Sequence, residues 1–438
     1  MTVKPNDVHK ILSRYMLTDG FDLVLDLKKS KGCRIYDARR STYFLDCFSF
    51  FATAPLGCNP PEMMAPEFIK KIGELAINNP TNSDVYTVEM AEFVEAFTKY
   101  AVPKDFQHLF FISGGTLAVE NALKTAFDWK VRKNIARGKA EKGSQIIHFK
   151  ESFHGRSGYT LSMTNTFNLD KTRYFTKFSW PRITNPKIRF PLTSENLKKV
   201  SALEQQAVIE IENAVARNPD DIAGLIIEPI QGEGGDNHFR EEFFQTLRKL
   251  CDQHEMMFIL DEVQSGVGLT GKMWAYQHFD VKPDIVAFGK KTQICGIMAT
   301  DRLNDVEDNV FHVPSRINST WGGNLVDMLR SQKYLEIIQK DHLVENAAKQ
   351  GKYLLKGLEE LQENYPRVVS NARGRGLMCA FDLPTAEQRD AMKKRLYENN
   401  MIILGCGAST IRFRPPLIIT SREIDEALDI IERVVKTM

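Results

Sequence analysis

The sequence predicts an α/β protein whose larger domain is built on a mostly parallel sheet and whose smaller domain is of the α+β type. From about residue 61 to residue 315, short apolar runs alternate with stretches of helical periodicity. This alternation is typical of a parallel sheet with helices on both faces. At 438 residues the chain exceeds the length that a single hydrophobic core usually supports, so we expect two domains.

Apolar runs and periodic stretches predict the individual elements. Strands are expected at 108–112, 145–149, 224–228, 256–260 and 285–288. Helices are expected at 118–130, 203–217, 326–338, 343–362 and 422–436. The interval between the last two strands leaves room for a crossover helix at about 274–279, as a parallel pair requires.

These elements divide the chain into three predicted segments. Residues 1–60 mix turn signals with short strand-like runs, and we expect this N-terminal segment to contribute to the smaller domain. Residues 61–324 form the large domain. Residues 325–438 form the small C-terminal domain, with two long helices, a strand after Gly374-Arg375-Gly376 and a last helix.

Composition excludes several classes of protein. With 58 basic and 56 acidic residues the net charge is only +2, which argues against a nucleic-acid partner. The seven cysteines show no paired spacing, so we expect neither disulfides nor a metal site, and a reducing cytoplasm fits them. No apolar run approaches the ~20 residues of a membrane span. The sequence therefore predicts a soluble cytoplasmic protein without a targeting segment.

Asp261 and Lys290 stand at the carboxyl ends of two apolar runs, and ligands of open α/β sheets lie outside those ends. A lysine amine can bond to the aldehyde of pyridoxal phosphate (PLP). A carboxylate on the next strand can keep the pyridine nitrogen of PLP protonated, so that the ring accepts electrons. Either residue alone is more often a helix cap or a solvated surface group. The pair indicates PLP in combination with further sites.

Two glycine-rich segments are candidates for phosphate binding. Ser113-Gly114-Gly115-Thr116 follows a predicted strand and opens a helix, where free backbone N–H groups can bind phosphate, although a plain turn with a helix cap fits equally well. Gly266 to Gly271 matches G-x-G-x-x-G. In a nicotinamide-binding fold these glycines directly follow a strand and an acid lies about 20 residues later, whereas here Lys290-Lys291 occupy that place.

Three other positions carry candidate side chains. Phe153 could stack on a planar cofactor, and Arg156 near it could hold a carboxylate. Arg412 and Arg414 alternate with apolar neighbours and so share one face of an extended segment. Glu233 lies in a glycine-rich loop, where an acid is ordinarily solvated.

Together these motifs resemble those of the class III aminotransferases, which are fold type I PLP-dependent transferases. The residues that carry the resemblance are 113–116, 153–156, 261–264, 288–291 and 412–416. More narrowly, residues 154–160, 290–296 and 315–324 resemble the branch of this family that acts on L-lysine. Many members carry Gly-Gly-Gly shortly after the cofactor lysine, whereas this chain reads Thr292-Gln293-Ile294-Cys295-Gly296, which favours the lysine-specific branch.

The resemblance implies roles for the cofactor site. Lys290 would hold PLP and then move the proton, and Asp261 would pair with the pyridinium. The other implied cofactor ligands are Phe153 and Val263 on the ring faces, Gln264 at the phenolic oxygen, and Gly115, Thr116 and Thr320 of the partner subunit at the phosphate. The last contact implies a homodimer with shared active sites.

The resemblance also implies a reaction. The ε-amino group of L-lysine would pass to 2-oxoglutarate, giving L-glutamate and 2-aminoadipate 6-semialdehyde, which cyclises to a piperideine carboxylate. Glu233 would pair with Arg412 for lysine and swing away for glutamate. The other implied substrate contacts are Arg156 at the distal carboxylate, Asn318, and Phe51 in the stretch 48–52 that would line the channel.

Alternative functions stay open at this point. Ornithine or 4-aminobutyrate could replace lysine as the amino donor. A PLP-dependent aminomutase or decarboxylase would need no second arginine for a carboxylate. A PLP-sensing regulator would need an appended DNA-binding domain, and neither terminus is long or basic enough for one.

Overall fold

Strands and helices alternate along most of the chain, which a computed structural model describes over residues 3–438. Within that range the strands are β1 (Arg34–Asp37), β2 (Thr42–Asp46), β3 (Phe106–Ile112), β4 (Gln145–Phe149), β5 (Arg182–Ile183), β6 (Ile222–Ile227), β7 (Met257–Asp261), β8 (Ile285–Phe288), β9 (Cys295–Thr300), β10 (Ser370–Arg375), β11 (Met378–Asp382), β12 (Met401–Ile402), β13 (Leu404–Cys406) and β14 (Thr410–Arg412). The helices are α1 (Val8–Leu12), α2 (Ser49–Ala52), α3 (Pro66–Ala76), α4 (Val88–Ala101), α5 (Gly115–Ala136), α6 (Gly158–Met163), α7 (Ser194–Arg217), α8 (Glu241–Gln253), α9 (Leu325–Lys340), α10 (Leu343–Asn364), α11 (Ala386–Glu398) and α12 (Ser421–Val435).

The largest sheet has seven strands in the order β3-β9-β8-β7-β6-β4-β5. The pairs from β8 to β5 are parallel, and β9 is antiparallel to both of its neighbours. Every residue of β6, β7 and β8 is buried, which explains their continuous apolar sequences, because strands of a parallel sheet are covered on both faces. The predicted α/β fold class is confirmed.

Two smaller sheets form from the ends of the chain. One has the order β10-β11-β14-β13, and the other joins β1 and β2 to β12. In the second sheet, Leu45 and Asp46 pair with Met401 and Ile402. This pairing supports the expectation that the N-terminal segment contributes to the small domain. The boundaries at residues 60 and 324 stay predictions.

Most predicted elements are confirmed, although α7 begins at Ser194 rather than at 203, and helices α3, α4, α8 and α11 were not predicted. The crossover helix expected at 274–279 is wrong, since only the 3₁₀ turn Ala275–His278 forms between β7 and β8. Strand β9 was not predicted. The stretch 48–52, for which no secondary structure was predicted, contains the short helix α2, whose backbone is left-handed at Phe50 (φ 53°) and Phe51 (φ 59°).

A helix that crosses a membrane must be both long and apolar. No helix within residues 3–438 combines these two properties.

Candidate active site

A cavity of about 270 Å³ lies at the carboxyl ends of the central parallel strands. Three ionisable residues reach it from neighbouring strands: Glu228 follows β6, Asp261 ends β7, and Lys290 follows β8. The other residues of its wall are Gly115, Thr116, Phe153, His154, Gly155, Glu233, Val263, Gln264 and Cys295. The structure therefore brings together most of the residues that the sequence singled out.

Asp261 is held in a fixed orientation by two hydrogen bonds. His154 Nδ1 donates to Asp261 Oδ2 at 2.8 Å, and the backbone N–H of Val263 donates to Oδ1 at 3.1 Å. The side chain of His154 is fully buried and that of Asp261 is 6% exposed. Since a carboxylate only accepts hydrogen bonds, Nδ1 carries the proton of His154. A buried carboxylate supported from behind in this way suits recognition of a cationic group in the cavity.

Lys290 combines an unusual backbone with an altered acidity. Its φ of 54° lies in the left-handed region, which non-glycine residues occupy less often than glycine. Burial, together with the positive charges of Arg412 and Arg414, lowers the pKa of Lys290 to about 8. A substantial fraction of its amine is therefore neutral near pH 8, which a nucleophile or base requires.

The start of helix α5 forms an anion-binding wall of the cavity. Gly115 is the first residue of this 22-residue helix, and the first N–H groups of a long helix have no partner within it. Glycine is needed here because a Cβ on Gly115 would lie 2.9 Å from Val263 Cγ1. Gly155 (φ 130°) is similarly constrained, because a Cβ would lie 2.3 Å from Thr116 Oγ1.

Gln264 is oriented by the arginine that lies behind it. Arg414 donates to Gln264 Oε1 from Nε at 3.0 Å and from Nη2 at 2.7 Å. Arg414 is itself fully buried and bonded through both terminal nitrogens to Asp236, at 2.7 and 2.5 Å. Because a guanidinium only donates, the oxygen of Gln264 is committed to it, and the amide NH₂ is left as the donor end. Arg414 is thus a structural residue, unlike Arg412.

Glu233 is bonded to two cations at once. Arg412 Nη2 donates to Glu233 Oε2 at 2.9 Å, and Lys171 Nζ donates to Oε1 at 2.6 Å. Burial opposes ionisation of this carboxyl, but the two cations prevail and lower the pKa of Glu233 below its ordinary value. Glu233 is therefore a wall residue of the cavity that is paired with Arg412, as the resemblance implied, and it is not the solvated acid that a glycine-rich loop ordinarily carries.

Four wall residues had been given no role from the sequence: His154 and Gly155, which are described above, and Glu228 and Cys295. Glu228 accepts hydrogen bonds from the backbone N–H groups of Phe153 (2.9 Å) and Gly232 (3.0 Å), and burial raises its pKa to about 7. It fixes Phe153 over the cavity. Cys295 lies beside Lys290, and burial raises the pKa of its thiol. The rule that drew attention to Asp261, an acid directly after an apolar run, would have found Glu228.

Five predicted substrate or cofactor residues lie outside the wall of this cavity in the single chain, and one of them, Arg412, bonds to the wall residue Glu233. Arg156 is exposed in the turn that precedes α6, and Phe51 is 50% exposed. Asn318 and Thr320 are exposed in a segment that packs against Ser83, whose hydroxyl donates to the carbonyl of Ser319 at 2.7 Å. Their roles stay predictions.

Comparison with known proteins shows the family to which the chain belongs. The profile of the family described as Aminotransferase class-III matches residues 17–435. The chain belongs to the class III aminotransferases. The L-lysine-epsilon aminotransferases of Mycobacterium tuberculosis and Amycolatopsis lactamdurans are each 52% identical to it, over 97% of this chain and 94% of theirs.

The likeness extends to solved structures. The structure of a lysine aminotransferase from M. tuberculosis superposes with a TM-score of 0.97 at 50% identity, covering 99% of this chain and 100% of that one. The 4-aminobutyrate aminotransferase of Homo sapiens is 30% identical over 95% of this chain and 85% of its own.

Class III aminotransferases are PLP-dependent, and the cavity fits this cofactor. The phosphate needs an anion site, which the start of α5 supplies at a glycine where no Cβ has room. The pyridine nitrogen needs a buried carboxylate, and the aldehyde needs an amine with a lowered pKa. Asp261 and Lys290 meet these two needs on adjacent strands.

The acidity of Lys290 predicts how the apoenzyme takes up PLP. Only the neutral amine attacks an aldehyde, so the rate of covalent attachment should rise with pH and level off above a pH of about 8. The change in cofactor absorbance after mixing apoenzyme with PLP, followed from pH 6.5 to 9.5 in about half-unit steps, measures this rate. A rate that still rises without levelling at the top of the range would show that the amine has its ordinary acidity.

Proposed function

We propose that this aminotransferase moves the ε-amino group of L-lysine to 2-oxoglutarate, giving 2-aminoadipate 6-semialdehyde and L-glutamate. The aldehyde then cyclises to a piperideine carboxylate with loss of water. The pairing of Arg412 at 2.9 Å with Glu233, a wall residue of the Lys290 cavity, carries this proposal. The names of the relatives that are 52% identical over nearly the whole chain support it.

The charge pair accounts for the use of two dissimilar substrates. The ε-carbon of lysine carries no carboxylate, and an unpaired buried guanidinium facing a methylene would be costly. Arg412 is 2% exposed, and Glu233 neutralises it when no carboxylate is present. Glutamate and 2-oxoglutarate carry a carboxylate at the reacting carbon, which would displace Glu233 and bond to Arg412.

Each remaining residue has an assigned task. Bound PLP supplies an aldehyde for the incoming amine and an electron-accepting ring. Lys290 would remove the proton from Cε of lysine, while Asp261, steadied by His154, would hold the ring nitrogen in its protonated form. Phe153 and Val263 would enclose the ring, and Gln264 would donate its amide N–H to the phenolic oxygen.

We further infer that the enzyme is a cytoplasmic homodimer with shared active sites. Thr320 and Asn318 are exposed in the single chain, which suits residues that act across a subunit interface. In this assembly Thr320 would join Gly115 and Thr116 at the phosphate of the neighbouring site, and Phe51 would line the approach. Arg156 follows the wall residue Gly155 and would hold the distal carboxylate of the substrates. The seven free cysteines support the cytoplasmic assignment.

Nitrogen tracing tests the proposed reaction. With L-lysine labelled with ¹⁵N at the ε position, the glutamate formed from 2-oxoglutarate should carry the label. With lysine labelled at the α position, it should carry none. Ornithine and 4-aminobutyrate, assayed as donors under the same conditions, should give lower kcat/KM than lysine. Label transfer from the α position, or a preference for either competing donor, would refute the assignment.

Removal of Glu233 should alter the balance between the two substrates. In Glu233→Ala, Arg412 is free to attract the α-carboxylate in both half-reactions, so lysine binds more often in the wrong direction. Losing one charge-assisted pair in a partly buried site is worth about 1.5–3 kcal/mol, so kcat/KM for lysine should fall about 10- to 100-fold relative to glutamate. Stopped-flow half-reactions with each substrate measure the ratio.

The reciprocal variant is the control for this prediction. Arg412→Ala removes the carboxylate site itself, so it should impair glutamate and 2-oxoglutarate while largely sparing the lysine half-reaction. Equal losses for lysine and glutamate in Glu233→Ala would mean that Glu233 only shapes its loop.

A further inference from the structure

We propose that Lys171 is a positioning residue that holds Glu233 while Arg412 binds a substrate carboxylate. This inference rests on the proposed exchange of partners at Arg412. It assigns a role to a residue of the 3₁₀ turn Leu169–Lys171, which belongs to none of the motifs discussed above.

The two cations that bind Glu233 differ in the carboxylate oxygen that they contact and in their exposure to solvent. Lys171 and Arg412 bond to different oxygens of the same carboxylate, at 2.6 and 2.9 Å. The side chain of Arg412 is 3% exposed, whereas that of Lys171 is 30% exposed and that of Glu233 is 22% exposed. Arg412 is thus fixed within strand β14 at the cavity, while Lys171 lies on the solvent side at the end of a long flexible side chain.

This arrangement favours the state in which Glu233 has left Arg412. A carboxylate that is mostly buried is costly without a partner, and Lys171 can keep its bond to Oε1 while Oε2 is released. When Glu233 is still bonded to Arg412, the carboxylate keeps one cationic partner, so the loss of Lys171 destabilises that state less. By sharing the carboxylate, Lys171 also weakens the hold of Glu233 on Arg412. Lys171 therefore makes Arg412 easier to release from Glu233, which eases the binding of a dicarboxylate.

Binding of glutarate to the PLP-loaded enzyme tests the role without turnover. Glutarate carries the two carboxylates of 2-oxoglutarate but no reacting carbonyl. Lys171→Met should raise its dissociation constant, measured by calorimetry, by about tenfold, the effect of losing one charge-assisted bond at a partly exposed site. Lys171→Arg should bind glutarate nearly as the unmodified enzyme does. The lysine half-reaction should change less than about twofold, because it needs no free Arg412.

Lys177→Met is the matched control. It removes a lysine from the same segment whose ammonium donates to the carbonyl of Thr172 at 3.0 Å and has no bond to Glu233 among the described residues. If it weakens glutarate as much as Lys171→Met does, general electrostatic attraction explains the effect and the proposal fails.

A double-mutant cycle decides whether Lys171 acts through Glu233. In a Glu233→Ala background, Lys171→Met should change glutarate affinity less than about twofold. A tenfold effect that persists there would mean that Lys171 contacts the ligand itself and would overturn the proposal, as would equal losses in the lysine and glutamate half-reactions. If the unmodified enzyme does not transfer the ε-amino group of lysine, the proposed function fails, yet the glutarate cycle still reports on Lys171.

Discussion

Replacing Lys290 with alanine should abolish turnover while leaving the fold and the anion site for PLP intact. Lys290 follows the central strand β8 and presents a partly neutral amine to the cavity. The variant loses both the covalent attachment of the cofactor and the base that moves the proton, so kcat should fall by more than about 10⁴-fold. Steady-state assays and the absorbance of the purified protein with added PLP measure the two losses separately.

Two controls are needed. The first shows whether activity requires the neutral amine of Lys290 or only its positive charge, and the second shows whether the cofactor is attached to Lys290 or to Lys291. Lys290→Arg keeps a cation but has no neutral amine at any usable pH, so it should be as inactive as the alanine variant. Borohydride treatment of the unmodified enzyme, followed by peptide mapping, should place the cofactor on Lys290. Lys291 is buried and donates to the carbonyl of Gln264 at 2.5 Å. Label on Lys291, or substantial turnover by Lys290→Arg, would refute the assignment.

Asp261 and Lys290 could be placed from the sequence because both residues end continuous apolar runs. Such runs form the buried centre of a parallel sheet, and the carboxyl ends of its strands meet at one edge. The register agrees with this reasoning, since Asp261 pairs with Ala287 on the neighbouring strand. The positions of these two residues at the edge therefore follow from local pattern. Glu228 obeys the same rule.

The partners of Glu233 and Arg414 could not be inferred from local pattern, because these contacts join residues that are distant along the chain. Lys171 lies 62 residues from Glu233, and Asp236 lies 178 residues from Arg414. Each stands in a polar loop whose composition suggests solvent exposure. Only the folded loops show that one cation shares the carboxylate of Glu233 and that one acid immobilises Arg414.

Two local features that were not predicted also have tertiary causes. In helix α2, Asp46 accepts from the backbone N–H groups of Phe48 (2.9 Å) and Ser49 (2.7 Å) and holds the segment in a turn. The hydroxyl of Ser49 also donates to the carbonyl of Arg414 at 2.6 Å. Strand β9 was missed because its six residues carry a glycine and no strong alternation, and its place follows from pairing with β3 and β8.

Replacing Asp261 with asparagine should leave PLP bound but slow proton abstraction by several orders of magnitude. The variant keeps the size and most of the hydrogen-bonding capacity of the side chain but removes its charge. A pair of charges at the hydrogen-bond distance of about 3 Å, at an effective dielectric constant of about 20, is worth about 5 kcal/mol, which corresponds to about 10⁴-fold in rate. Without that charge the ring nitrogen loses its proton more readily, and the ring is a poorer electron acceptor.

Single-turnover stopped-flow with lysine deuterated at Cε measures this step. In Asp261→Asn the isotope effect should rise toward its full intrinsic value, because proton removal becomes the slowest step. His154→Gln is the matched control: it disturbs the bond of 2.8 Å to Asp261 while leaving the carboxylate charged, so its loss should be much smaller. A near-normal single-turnover rate in Asp261→Asn would show that Asp261 serves the fold. A loss in His154→Gln as large as that in Asp261→Asn would show that orientation, and not charge, is what Asp261 contributes.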